Sequence, residues 1–180
     1  MKYKKKRNFR KNKKFAVFLD QFLPFHSGQN YIGTASKNID HKTYYRNLEL
    51  FFQKFEKEYN MEVKIAAHPR SNYKKNKFIK KGRKVFINKT AELVKNSSIT
   101  FTHHSLGMNF AVLFKKPIFF LTFSSYKKVE AFKPNLLSKF FKTYCFNMDA
   151  KKINFPKKSK LFKINNDSYS KYKKNYLISS

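Results

Sequence analysis

Polar residues that can take part in chemistry stand directly after three short apolar runs of the sequence. They are Asp20 after FAVFL, His68, Pro69 and Arg70 after MEVKIAA, and His103, His104 and Ser105 after SITFT. Imidazole N–H groups, a guanidinium group and a hydroxyl group donate hydrogen bonds and suit an anion such as a phosphate. Asp20 adds a carboxylate, which could act as a catalytic base or only hold a loop. The pattern therefore predicts an anion-binding site.

Each of these residues also has a purely structural interpretation. One of the two adjacent histidines, His103 or His104, must point away from a shared ligand and can serve by hydrogen bonding within the core. His68 precedes a proline, which ends strand pairing, so it can simply mark the end of a strand. Ser105 is a favourable N-cap for a following helix whether or not a ligand binds. At the level of sequence these alternatives stay open.

The elements that must position these residues are short apolar runs that alternate with amphipathic segments. The predicted strands cover residues 15–19, 62–67, 84–87, 98–102 and 117–121. The predicted helices cover residues 42–59, 91–96, 106–114, 134–143 and 168–177, with Thr90 and Ser105 as N-caps of the second and third. Such alternation is typical of βαβ units. It predicts a Rossmann-like three-layer α/β sandwich with a parallel sheet covered on both faces.

Two of the predicted helices carry a distinct apolar side. In the segment 42–59 the apolar residues recur three and four positions apart, which indicates one buried stripe. Its expected core residues are Leu48, Phe51, Phe52 and Phe55. The last helix carries Tyr169, Tyr172 and Tyr176 on one side.

The predicted topology places the polar residues along one edge of the sheet. In open α/β sheets, ligands bind outside the carboxyl ends of the strands. Thr122, Ser124 and Ser125, which follow the fifth strand, are expected on the same edge. A helix that begins at residue 106 would also present backbone N–H groups there, which favours an anion.

The composition predicts one folded domain with an unusual charge. At 180 residues with 22 Phe, the chain fits a single domain over residues 15–180, after a basic lead-in over residues 1–14 that is expected to be mobile. There are 41 Lys and Arg against 10 Asp and Glu, a formal net charge of +31. Such a field attracts nucleic acid, anionic membrane surfaces or phosphorylated substrates. A/T-rich codons, which encode lysine, are an equally good explanation of the charge.

Several function classes find no support in the sequence. The single Cys145 rules out an internal disulfide and indicates a reducing, cytoplasmic compartment. No run reaches the roughly 18 apolar residues of a membrane span. With four glycines in total, the chain has no glycine-rich nucleotide loop. It also lacks an Asp-x-Asp motif and any Cys/His spacing for zinc, so no metal site is predicted.

Three stretches together resemble a known family. FAVFLDQFLPFH, YYRNLELFFQKFEKEYNMEVKIAAHPRS and GRKVFINKTAELVKNSSITFTHHSLGMNFAVLFKKPIFFLT, within residues 15–125, look like the C-terminal, donor-binding half of bacterial GT-B-type glycosyltransferases that build surface polysaccharides. The His-Pro after a strand and the His-Ser at a strand-to-helix turn are similar to motifs of bacterial sialyltransferases and capsule Kdo transferases.

The resemblance implies a function and a role for each site residue. It implies a domain that binds a CMP- or UDP-linked sugar, without a cofactor, in capsule or lipooligosaccharide synthesis. His68, with Pro69 and Arg70 beside it, would contact the donor phosphate. Ser105 and the helix start at residue 106 would hold its other oxygens, with His103 and His104 next to them. The acceptor would be an oligosaccharide or a lipid-linked sugar.

The chain departs from the family pattern in two ways. Relatives often have two hydroxyl residues at the turn, whereas Ser105 is followed by Leu106. GT-B enzymes also have two Rossmann-like domains, and 180 residues supply one. We therefore expect a fragment, a split subunit or a decayed gene product whose activity as an enzyme depends on an N-terminal partner domain. Its expected location is the cytoplasm, including the inner face of the membrane.

A nucleic-acid-binding module is the alternative from a different functional class. The charge of +31 and the 22 Phe and 11 Tyr favour it. Against it, Phe51, Phe52 and Phe55 fall on the stripe of a helix that is expected to be buried, and no RRM, KH or helix-turn-helix pattern is present. Nucleic acid is therefore the less favoured partner.

Overall fold

The computed structural model describes residues 13–25, 40–73, 77–124 and 128–178. Its strands are β1 Phe15–Leu19, β2 Glu62–Ala67, β3 Val85–Ile87, β4 Ile99–Thr102, β5 Ile118–Thr122 and β6 Cys145–Asn147. Its α-helices are α1 His41–Tyr59, α2 Thr90–Asn96, α3 Met108–Leu113, α4 Lys128–Phe140 and α5 Asn166–Tyr176. Short 3₁₀ turns cover Leu23–Phe25 and Lys158–Lys160.

The strands form one parallel sheet in the order β3-β2-β1-β4-β5-β6. This is the strand order of a Rossmann fold, so the predicted fold class is confirmed. From β1 the chain winds towards β3 in one direction and from β4 towards β6 in the other. The winding reverses between β1 and β4, where Leu19 pairs with Thr102. Open sheets of this kind form their ligand crevice at such a reversal.

The hydrophobic core lies in two layers, one on each face of the sheet. On one face, α1 buries Leu48, Phe51, Phe52 and Phe55 completely, as its apolar spacing predicted. The other face is covered by residues of α2, α3 and α5 and by Phe141, which follows α4; they include Val94, Val112, Tyr169 and Tyr172. Tyr176 lies on the same side of α5 as Tyr172, with ring centroids 4.9 Å apart, but it ends the helix and is 68% exposed.

Sequence patterns located the strands better than the helix starts. The five predicted strands lie within one residue of their predicted bounds, whereas β6, with three residues, is too short to show a periodicity. The helix α4 begins at Lys128, six residues before the predicted start, because the charged and small residues of its first turns show no clear apolar period. Thr90 is the first residue of α2 rather than its N-cap; Lys89 occupies that position without a side-chain hydrogen bond.

A buried ion cluster joins α1 to the segment before β3. The guanidinium group of Arg83 donates to both carboxylate oxygens of Glu49, at 2.7 and 2.6 Å, and to both oxygens of Glu56, at 2.7 and 3.2 Å. It also donates to the carbonyl oxygen of Val63 at 2.6 Å, and it lies over the ring of Phe52. The side chains of Arg83 and Glu49 are almost fully buried. The cluster fixes the chain between β2 and β3 against α1.

Some expectations concern residues that the structure does not describe. Of the basic lead-in over residues 1–14, only Lys13 and Lys14 are described, and Ser125 lies outside the described ranges. The predictions about them therefore stay predictions. Within the described ranges, no helix has the length and apolar character needed to cross a membrane.

Candidate functional site

The residues after β1, β2 and β4 meet at the carboxyl edge of the sheet. The backbone N–H of His68, after β2, donates to Oδ2 of Asp20, after β1, at 3.1 Å. On the other side of β1, the backbone N–H of His104 donates to Oε1 of Gln21 at 2.7 Å. Hydrogen bonds therefore connect three strand ends across the reversal of winding. Gln21 was not among the predicted site residues, although it directly follows Asp20.

Asp20 holds two loops together. Its side chain is buried, with 5% of the residue exposed. Oδ1 accepts a hydrogen bond from the backbone N–H of Phe22 at 2.9 Å, and Oδ2 accepts from the backbone N–H of His68 and from the hydroxyl of Ser71. These bonds connect the loop after β1 to the loop after β2. These contacts agree with the structural interpretation, in which Asp20 holds a loop. A catalytic role for Asp20 remains a prediction.

His68 is oriented by two contacts. Its Nδ1 accepts a hydrogen bond from the backbone N–H of Arg70 at 3.2 Å, so the proton of the neutral ring is on Nε2. The imidazole stacks on the ring of Phe22, with centroids 5.7 Å apart and planes within 5°. Pro69 and Arg70 form the exposed turn that follows. The imidazole is thus a half-buried group with a defined donor nitrogen.

His103 is part of the core, which corrects its assignment as a phosphate ligand. The residue is fully buried. Its Nδ1 lies 2.8 Å from the carbonyl oxygen of Leu121 and must donate to it, so Nε2 accepts from the hydroxyl of Tyr44 at 2.9 Å. Burial lowers the pKa of His103 from 6.5 to about 3, so the ring is neutral. With both nitrogens bound inside the protein, it cannot contact a donor phosphate.

His104 and Ser105 lie on the accessible side of the same turn. Both are half-buried. The backbone N–H of Ser105 donates to Oγ1 of Thr102 at 3.0 Å, and its own Oγ accepts from the backbone N–H of Gly107 at 3.2 Å. The described part of the chain offers no acceptor to the Ser105 hydroxyl proton, so that proton is available to a ligand. Ser105 therefore bonds within the turn three residues before Met108, where α3 begins, and Gly107 rather than Ser105 is the N-cap of that helix.

The helix start does not supply the backbone anion site that the sequence predicted. The helix α3 begins at Met108 rather than at residue 106 and has six residues. The backbone N–H groups of Gly107, Met108, Asn109 and Phe110 donate to Ser105 Oγ, Ser105 O, Leu106 O and Gly107 O. Tight turns therefore engage these four donors within the chain, at the place where the sequence predicted that they would bind an anion.

The residues after β5 are bound to the loop after β6. Both the backbone N–H and the hydroxyl of Ser124 donate to the carboxylate of Asp149, at 2.9 to 3.1 Å. Thr122 is half-buried at the end of β5. These contacts stabilise the loop pair and engage the Ser124 hydroxyl in the protein.

Sequence reasoning missed an aromatic cavity beside His68. It has a volume of about 570 Å³ and lies between the loop after β1, the first turns of α1 and the loop after β2. Its lining residues are Phe22, Phe25, His41, Lys42, Tyr45, Arg70, Asn72, Tyr73, Lys77 and Phe78. We call it the aromatic pocket. The only available signal was the alternation of basic and aromatic residues after His68, and such residues are also common on ordinary surfaces.

Metal-ligand clusters are not formed by the described residues. In those ranges no three His, Cys, Asp or Glu side chains converge to hold a metal ion. The donors at the edge of the sheet are an imidazole, a hydroxyl and a guanidinium group, which suit an anion.

Comparison with solved structures gives distant similarities. No family model and no curated protein matches the chain. Among solved structures it is similar to Staphylococcus aureus MnaA bound to UDP (17% identity, TM-score 0.39, 60% of this chain and 28% of that one). It is also similar to Methanocaldococcus jannaschii UDP-GlcNAc 2-epimerase with UDP-GlcNAc and UDP (16%, 0.48, 88% and 43%) and to the glycotransferase of kitacinnamycin (6%, 0.41, 82% and 35%). The chain spans less than half the length of each of these proteins, and none of the similarities identifies a family.

Proposed function

We propose that the chain binds a nucleotide-linked sugar at the carboxyl edge of its sheet, as the donor-binding half of a glycosyltransferase. The observation that carries the proposal is the grouping of His68, His104 and Ser105 where the winding of the sheet reverses, joined through Asp20 and Gln21. This is the place where open α/β sheets bind ligands. Arg70, exposed in the turn after His68, adds a permanent positive charge.

The chemistry of glycosyl transfer matches these donors. As the bond between the anomeric carbon and the phosphate oxygen breaks, negative charge develops on the departing nucleotide phosphate. Donors fixed in place lower the energy of that transition state. The Nε2 proton of His68 and the hydroxyl proton of Ser105 would donate to phosphate oxygens, and Arg70 would balance the charge. The nucleotide is CMP or UDP in this proposal.

The remaining parts of the reaction are assigned to other molecules. The acceptor is an oligosaccharide or a lipid-linked sugar, and a partner domain supplies its binding surface and the base. The product is a surface polysaccharide such as capsule or lipooligosaccharide. The lysine-rich surface would hold the protein near anionic lipid at the inner face of the membrane.

Calorimetry with CMP and UDP tests the donor site. We expect His68→Ala to weaken nucleotide binding by about 1.5–3 kcal/mol, because one charge-assisted contact is lost. Ser105→Ala should also weaken binding, whereas Ser159→Ala, an exposed serine in the 3₁₀ turn Lys158–Lys160, should not. Absence of binding at millimolar nucleotide, or an unchanged affinity in His68→Ala, would refute the donor site.

The net charge of +31 keeps nucleic-acid binding as the second candidate. A nucleic-acid binder loses affinity steeply and linearly in a plot of log K against log salt concentration, with little dependence on sequence. A nucleotide-sugar site instead discriminates between nucleotides and depends on His68. The buried positions of Phe51, Phe52 and Phe55 remove the stacking surface that single-stranded nucleic acid would need from these rings.

A further inference from the structure

Several side chains that line the aromatic pocket are in contact with one another. Phe22 stacks on His68, and its ring lies 5.1 Å from the ring of Phe25. The ring of Tyr45 meets that of Tyr73 edge to face at 5.8 Å. Phe22 also has a φ of 56°, an unusual backbone angle for a phenylalanine, and Asp20 holds it there by accepting its N–H. These contacts therefore fix the positions of the rings that line the pocket.

The charged side chains among the described lining residues of the pocket are basic. Lys42, Arg70 and Lys77 line it together with His41, and no acidic residue is among its described lining residues. Asp20 lies behind the wall, where three hydrogen-bond donors already bind its carboxylate. Burial, followed by the nearby charge of Asp20, raises the pKa of Tyr73 well above its ordinary value, so the tyrosine adds no negative charge.

We propose that the aromatic pocket binds an organic anion whose body is a flat, unsaturated ring. Aromatic walls bind such a ring by stacking and edge-to-face contact, and cations beside them bind a phosphate or carboxylate group. The volume of about 570 Å³ falls in the range of small-molecule sites. The site is distinct from the turn after β4, because His104 and Ser105 do not line it.

Two kinds of molecule share this chemistry. The ring can be the base of the donor nucleotide, in which case the pocket extends the proposed donor site through Arg70. It can also belong to a separate aromatic phosphate or carboxylate that binds next to the donor. The proposal does not require the nucleotide site, because the rings and cations of the pocket are sufficient for it.

Titration of the full chain with phenyl phosphate and with inorganic phosphate, followed by NMR, tests the pocket. We expect phenyl phosphate to bind at least about tenfold more tightly, because the ring adds apolar contact. Phe25→Ala should remove that advantage and leave the fold intact, because Phe25 is 49% exposed. Lys77→Glu should weaken both ligands, whereas Phe162→Ala, a 39% exposed phenylalanine outside the pocket, should change neither.

Competition with UMP and CMP then identifies the source of the ring. Displacement of phenyl phosphate by a nucleotide, with weaker binding of both ligands to Phe25→Ala, assigns the pocket to the nucleotide base. If phenyl phosphate still binds when nucleotide is bound, the pocket belongs to a separate ligand. If phenyl phosphate binds and no nucleotide binds at all, the pocket is supported and the donor site is refuted. Equal affinities for phenyl phosphate and inorganic phosphate, or an unchanged preference in Phe25→Ala, would overturn the proposal.

Discussion

Neighbouring residues of the same type have different environments at the edge of this sheet. His103 is enclosed between the hydroxyl of Tyr44 and the carbonyl of Leu121, while His104 is half-buried at the turn. His68 is fixed by a backbone N–H and by a stacked phenylalanine ring. Because a histidine acts through whichever nitrogen is left to a ligand, these local contacts decide which ring can bind an anion.

The buried imidazole of His103 should make stability depend on pH. Its pKa is about 3 in the folded chain and 6.5 when exposed, so the unfolded chain takes up a proton first as pH falls. The stabilisation from a neutral His103 is complete above pH 6.5 and is lost progressively between pH 6.5 and about 3. We expect the free energy of unfolding to fall by up to about 1.4 kcal/mol per pH unit in that interval.

Denaturant unfolding of matched variants isolates this contribution. His103→Gln should flatten the pH dependence, while Tyr44→Phe should be less stable at every pH and keep the wild-type slope. Carboxylates titrate in all three proteins, so they cancel in the difference. Equal slopes for wild type and His103→Gln would contradict the assignment.

At the scale of elements, α1 is attached to the sheet by apolar packing and by one buried ion cluster. Glu49 and Glu56 are two turns apart on the helix and both bind Arg83. Arg83 stands at the end of the chain segment whose earlier residues line the aromatic pocket. The cluster therefore couples the position of α1 to that of the pocket, in addition to stabilising the fold.

Removal of the central cation should be costly. We expect Arg83→Met to lower the free energy of unfolding by about 3–5 kcal/mol, because two carboxylates are left without their partner. Lys84→Met is a matched control one residue away: Lys84 forms an exposed ion pair with Glu62, and its loss should cost at most about 1 kcal/mol. Chemical denaturation measures both, and equal effects would show that the buried cluster contributes no more than a surface pair.

At the scale of the whole molecule, the described residues form one parallel sheet with a hydrophobic layer on each face. In the proposed function the carboxyl edge of this sheet holds the donor. Transfer also requires an acceptor oxygen held about 3–3.5 Å from the anomeric carbon, with a base beside it. In the described structure, the carboxylate of Asp20 lies at the carboxyl ends of β1 and β2. Its oxygens accept hydrogen bonds from Phe22, His68 and Ser71.

We therefore expect the 180-residue chain alone to bind donor weakly and to transfer no sugar. Incubation of the purified chain with CMP- and UDP-sugars and oligosaccharide acceptors, with product detection by mass spectrometry, measures this. Activity should appear when a partner domain is added. Turnover by the chain alone that disappears in His68→Ala would show that no partner is needed.

The sequence was sufficient for the architecture because apolar periodicity is a local property. Runs such as FAVFL and the spacing of Leu48, Phe51, Phe52 and Phe55 already indicated strands, a long helix and a parallel sheet. The polar residues that follow the strands could also be placed along one edge of the sheet, because parallel strands all end on the same side. The three-residue β6 and the start of α4 were missed because they carry too little pattern to detect.

The use of each polar side chain was decided only by the tertiary structure. His103 faces the core and Asp20 holds two loops because of partners that are far away in sequence. The N–H groups of residues 108 to 110 are bonded because the turn after Ser105 is tight. The aromatic pocket likewise joins residues from three separate segments. Hydrogen bonds and cavities are formed between segments, so a pattern along one segment can propose a site residue but cannot say which of its atoms is left for a ligand.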